Sequence, residues 1–145
     1  MNNNSYESDQ LLNEYLLFHY GNPSEILPYD FGPIDALNFP YRCVNECLDH
    51  AILPKEASAL DLGCAVGRSS FELAEHCLEV IGLDYSENFI RAANFLKDTG
   101  KLPYQIKVTG DICMPAVAEI SSEIDRNHLS FEVADAHNLP SEWNN

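Results

Sequence analysis

Leu11, Leu12, Tyr15, Leu16 and His19 recur at the three- and four-residue spacing of one helical face. Ser8 or Asp9 stands where an N-cap belongs and Gly21 where the run should stop, so the pattern predicts a first helix over 9–20. From 22 to 38, Pro23, Pro28, Gly32 and Pro33 interrupt every period, which predicts an ordered surface loop. Helical spacing resumes with Tyr41, Val44, Cys47, Leu48 and Ala51, a second helix that Pro54 would close.

The pattern then changes. Ala57 to Leu62 is a short apolar run that passes through a Gly-containing turn into a helical period from Ser69 to Leu78, giving strand, turn, helix. Val80-Ile81-Gly82-Leu83 is a second buried strand. It leads through Asp84-Tyr85-Ser86 into a helix with Phe89, Ala93 and Leu96 on its apolar face, Ser86 as N-cap and Gly100 past its end. Gln105 to Thr109 reads as extended, and Met114 to Arg126 fits a short helix started by Pro115. Leu129 to Val133 is the third strand of the alternation, followed by a loop over 135–140. Strands alternating with helices imply parallel strands joined by crossovers, an α/β sheet whose ligands bind at the carboxyl ends of the strands.

Composition narrows the function classes. The 145 residues suit one domain. Lys plus Arg number 8 against 23 Asp plus Glu, a net charge of −15, which disfavours a nucleic-acid partner held by phosphate neutralisation. No apolar run approaches the ~20 residues of a bilayer span, and the Met1-Asn2-Asn3-Asn4-Ser5 start has neither the charge nor the apolar stretch of a targeting signal, so the expected compartment is the cytosol. Cys43, Cys47, Cys64, Cys77 and Cys113 are odd in number and contain no C-x-x-C pair, the pattern of reduced thiols with no metal site. Cys43 and Cys47 share a helix face but lack further ligands, so packing explains them better than metal. His50 and His76 suit helix carboxyl ends, and His19 on an apolar face reads more readily as a packed histidine than as a base.

The candidate chemistry falls at the strand ends. In Asp61-Leu62-Gly63-Cys64-Ala65-Val66-Gly67-Arg68 the small residues 63, 65 and 67 allow a sharp turn and close approach of a ligand to the backbone. On that reading Gly67→Val should fill the turn and abolish binding while helical content persists. Ala65 and Arg68 stand where a dinucleotide fingerprint needs glycine, and no G-K-[ST] follows, so a nicotinamide oxidoreductase and a phosphate loop both fit poorly. An acidic residue before the turn and no lysine in it suit a ligand without phosphates that carries positive charge, as S-adenosylmethionine does. Asp84 can accept from both hydroxyls of a ribose, and Asp135-Ala136 can offer a carboxylate and an N–H to adenine, with His137 nearby.

These residues resemble a family. Leu60 to Gly67, Gly82-Leu83-Asp84-Tyr85-Ser86 and Val133 to Pro140 are similar to the cofactor motifs of class I S-adenosylmethionine-dependent methyltransferases, with Ala65 where that family usually has glycine. Tyr6-Glu7-Ser8-Asp9, Glu14 to Gly21, Glu25 to Tyr29 and Phe39 to Cys43 resemble the methyltransferase domain of ovothiol biosynthesis, a 4-mercaptohistidine N1-methyltransferase. The resemblance implies a Rossmann-like parallel sheet with its first three strands in the order 3-2-1, and S-adenosyl-L-methionine as cofactor. It implies cofactor contacts at Asp61, Gly63, Cys64, Ala65, Gly67, Asp84, Tyr85, Ser86, Asp135 and Ala136. The acceptor it implies is a thiohistidine-like small molecule. Residues 1–56 would form a helical lid, with Tyr6, Tyr15, His19, Tyr29 and Arg42 as lid or acceptor contacts, and 57–145 the cofactor-binding half of the domain. The family's sheet has seven strands and this chain carries three, so the expectation is a carboxyl-terminally truncated domain. The rival is a catalytically inactive fragment that binds or acts with a partner chain. No catalytic residue and no oligomeric state follow from the sequence.

Overall fold

The computed structural model describes residues 7–139. Helix α1 spans Asp9–Tyr20, with the Ser8 hydroxyl accepting from the Leu11 N–H at 3.2 Å and the Gly21 N–H donating to the Leu17 carbonyl. Its apolar stripe packs into the common core: Leu16 is fully buried there, and Tyr15 lies on Phe89 with ring centroids 4.4 Å apart. The 22–38 stretch contains a four-residue helix, α2 (Pro23–Ile26), and a 3-10 turn at Ile34–Ala36. Helix α3 (Phe39–Cys47) stops earlier than its apolar period suggests. Leu48 turns extended, and the Asp49 carboxylate takes the Ala51 N–H at 2.9 Å, a local turn that competes with further helix.

The strand-helix alternation follows: β1 (Ser58–Leu62), α4 (Arg68–Leu73), β2 (Glu79–Asp84), α5 (Glu87–Thr99) and, after an insertion, β5 (Leu129–Val133). Strands β1, β2 and β5 form one parallel sheet in that order, with Leu62 opposite Leu83 and Asp84 opposite Val133. This is the expected α/β arrangement, with the third parallel strand beside the second. Phe89, Ala93 and Leu96 of α5 are all fully buried, as the spacing predicts, and Phe71 of α4 meets Phe131 of β5 at 5.4 Å.

The insertion is the main correction. Lys101–Thr109 and Ile112–Glu119 are strands β3 and β4 of a separate antiparallel hairpin: 105–109 is extended as expected, and the helix expected from Pro115 is a strand. Pro115 pairs opposite Gln105 in a two-stranded ribbon, where a strand has a free edge and proline's missing donor is tolerated. Gly110, at φ +53°, makes the turn. The hairpin packs on α1 and α5 through Tyr104, Ile106 and Ala118. Among the described residues no helix is long and apolar enough to cross a membrane, and no group of three or more His, Cys, Asp or Glu is placed to hold a metal. All five cysteines are free.

Candidate functional site

The segment after β1 is tied to the end of β2. The N–H groups of Gly63 and Cys64 both donate to the Leu83 carbonyl, at 2.8 and 3.0 Å, and the Ala65 N–H donates to Asp84 Oδ2 at 2.9 Å. Asp84 Oδ1 accepts from the Ser86 N–H at 2.9 Å, and the Ser86 hydroxyl caps α5 by accepting from the Phe89 N–H. One carboxylate thus fixes the turn after β1 and the start of α5. On its other side, the Ala134 N–H donates to the Asp84 carbonyl, which brings the end of β5 alongside.

These three strand ends border a cavity of about 490 Å³ lined by Gly63, Leu83, Asp84, Tyr85, Ser86, Ala134, Asp135, Ala136 and His137. The volume lies in the ~300–1,000 Å³ range of small-molecule sites. Gly63 has φ +78°, and a Cβ there would meet nothing, so the backbone is open to a ligand. Asp135 Oδ1 accepts from the His137 N–H at 2.9 Å. That bond, with the neighbouring imidazole, holds its carboxyl below the usual range and hence ionised at neutral pH. Tyr85 is two-thirds exposed.

Six of the ten residues expected at the cofactor therefore share this cavity, and four take other places. Asp61 Oδ2 accepts from Ser69 Oγ and Ser70 Oγ, each at 2.7 Å, fastening β1 to the first turn of α4. Cys64 and Ala65 are buried, and burial, helped by the Asp61 and Asp84 charges, pushes the Cys64 thiol far up, so it stays protonated. Ala65 sits at φ +48°, a left-handed conformation that costs an alanine ~1–2 kcal/mol and that a glycine would adopt freely. Gly67, at φ +83°, faces inward. A Cβ there would lie 2.8 Å from the Phe131 ring and 3.2 Å from Ala93 Cβ, so valine would strike the core rather than fill ligand space.

The lid candidates do not gather at the cavity. Tyr6 lies outside the described residues. Tyr15 and His19 pack against each other at 5.8 Å. Tyr29 is exposed and stacks on Phe31, and Arg42 is half-buried and ion-paired with Glu46 at 2.6 Å. Two other anchors do reach the site's frame. Tyr20, at the end of α1, donates from its hydroxyl to the Val66 carbonyl at 2.8 Å, and burial raises its pKa well above the usual phenol value. Arg68 lies between the Tyr20 and Tyr41 rings, 5.6 and 5.8 Å from their centroids, and pairs with the nearly buried Glu72 at 2.7 Å. The sequence signal for Tyr20 was its place before the helix-ending Gly21.

Residues 53–109 match the family model of a methyltransferase domain. No curated protein matches the chain significantly in sequence. Among solved structures, the chain is similar to phosphoethanolamine N-methyltransferase 1 of Haemonchus contortus in complex with phosphoethanolamine and S-adenosylhomocysteine, at 16% identity and TM-score 0.48, covering 93% of this chain and 22% of that one. It is also similar to the YcgJ protein of Bacillus subtilis, at 16% identity and TM-score 0.44, covering 70% and 32%. A third is the MccD protein, at 22% identity and TM-score 0.44, covering 73% and 36%. The chain spans little more than a third of the length of these proteins at most.

Proposed function

We propose that this chain binds S-adenosyl-L-methionine at the ends of β2 and β5 and serves methyl transfer to a small-molecule acceptor. The observation that carries the reading is the convergence of Gly63, Asp84 and Asp135-Ala136 on one cavity, with Gly63 and Asp84 inside the stretch matched by a methyltransferase-domain model. Each Asp84 oxygen takes one backbone N–H and keeps a second lone pair, enough to accept the two hydroxyls of a ribose. The ionised Asp135 and the Ala136 N–H suit the amino group and a ring nitrogen of adenine. Open backbone at Gly63 leaves room beside them. Their negative charge, with −15 overall, favours a cationic ligand.

The bound cofactor supplies an activated methyl group on sulfur. The chain's own part is to bind and orient, an effect worth up to ~7–11 kcal/mol in well-aligned systems. For the acceptor we favour the imidazole nitrogen of a thiohistidine, supported by the upstream resemblance at 6–9, 14–21, 25–29 and 39–43. Such a nitrogen brings its own lone pair and asks no nucleophile of the protein. We assign residues 1–56 to a helical cover and 57–145 to the cofactor-binding half, and place the protein in the cytosol, where its five free thiols remain reduced.

Titration calorimetry with S-adenosylhomocysteine tests the site. The native chain is expected to bind, and Asp84→Ala to bind at least about tenfold more weakly, the equivalent of one charge-assisted hydrogen bond. Silence from a folded native chain would favour the inactive-fragment reading. Enhanced NADH fluorescence would instead favour a nicotinamide site.

A further inference from the structure

Helix α5 begins directly behind the cavity wall, and its first turn has two caps. Ser86 supplies the local one, at the Phe89 N–H. The other comes from the far end of the sequence: Glu7 Oε1 accepts from the Glu87 N–H and Glu7 Oε2 from the Asn88 N–H, both at 3.1 Å. Asn88, itself buried, returns a bond from Nδ2 to the Glu7 carbonyl at 2.6 Å. Three of the N–H groups that a helix start leaves unpaired are thereby satisfied, and a carboxylate stands at the positive end of the helix dipole.

Glu7 also borders the site. With Tyr85, Glu87 and Val133 it lines a hollow of about 380 Å³, and Tyr85 is shared with the candidate cofactor cavity. The segment Asp84-Tyr85-Ser86 is therefore fixed from two directions, by the Asp84 bonds to Ala65 and Ser86 and by the Glu7 clamp on the residues that follow. Ser8, the next residue after Glu7, caps α1, so the clamp joins the start of α1 to the start of α5.

We propose that Glu7 is a positioning residue for the cofactor site: by clamping the first turn of α5 it holds the Asp84–Ser86 wall in its ligand-binding conformation. This rests on the reading of the cavity as a cofactor site. Removing the clamp frees Tyr85 and Ser86 to drift from Asp84, so a bound ligand leaves faster.

The test compares Glu7→Ala, Glu7→Gln and Ser8→Ala with the native chain, at a temperature where circular dichroism shows all four folded. Ser8→Ala removes the α1 cap without touching α5 and reports generic destabilisation. S-adenosylhomocysteine dissociation is followed by stopped flow, and affinity by calorimetry. Glu7→Ala is expected to dissociate about tenfold faster, matching the loss of one charge-assisted bond's worth of coupling, and Ser8→Ala to match the native rate. Glu7→Gln, which keeps size and one acceptor but no charge, should fall between and serves if the alanine variant fails to fold. Equal rates in native and Glu7 variants would overturn the clamp and leave the cofactor reading intact. Equal acceleration in Ser8→Ala would likewise overturn it, as a stability effect. No binding by the folded native chain would overturn both.

Discussion

At the residue scale, His19 shows how burial converts an ordinary side chain into a pH-dependent liability. Its ring lies among Tyr15, Phe18 and Tyr20, its Nδ1 has no hydrogen-bond partner, and burial, reinforced by the Arg68 guanidinium, lowers its pKa from 6.5 to about 4. The folded chain thus holds the ring neutral while the unfolded chain protonates it near 6.5. Between those values the unfolded state binds more protons, so stability falls as pH falls, beginning near 6.5 and ending near 4. The full difference amounts to about 3 kcal/mol. Urea unfolding of native chain and His19→Gln across this window should show the native curve falling more steeply toward acid. Parallel curves would mean the imidazole escapes its buried setting.

At the scale of elements, the turn after β1 divides glycines that look alike in sequence. Gly63 opens to the cavity, whereas Gly67 packs its α-carbon against Phe131 and Ala93. Gly67→Val is accordingly expected to destabilise the whole chain by about 3 kcal/mol, combining left-handed strain with overpacking, and to show first as a lowered urea midpoint. Loss of binding with an unchanged midpoint would restore the ligand-facing reading. What could be read from the sequence here follows physical rules. Helices α1 and α5 were legible because a long period, a side-chain cap and a closing glycine agree. The β1 and β2 strands were legible as short apolar runs ending in acidic or small residues. Of the β3–β4 hairpin, 105–109 was legible as extended but β4 was not: residues 112–116 are exposed or half-buried without strict alternation, and Pro115 imitates a helix start. Nor could spacing show that Asp61 turns to Ser69 and Ser70 while Asp84 faces the cavity. Both are acidic residues at strand ends, and only the neighbouring hydroxyls tell them apart.

At the scale of the molecule, the parallel sheet leaves one side of β1 without a strand partner among the described residues. Leu60 and Leu62 alternate onto one face there, 42% and 49% exposed, beside Ile81 and Leu83 of β2. Unpaired backbone groups next to exposed leucines form a template for association. Opposing this, a net charge of −15 makes like chains repel, over a range that shrinks to about 10 Å at 0.1 M salt. The balance fixes the sign of the salt effect: association through an apolar edge strengthens as salt screens the repulsion, whereas association through ion pairs weakens. Sedimentation velocity at rising ionic strength is expected to show growing association of the native chain. Leu60→Lys, which places a charge on the edge at a cost within about 0.5 kcal/mol for an exposed position, should keep the chain monomeric over the same range. If both chains sediment alike, the β1 edge is not the contact; if salt dissociates the native assembly, the contact is polar in kind.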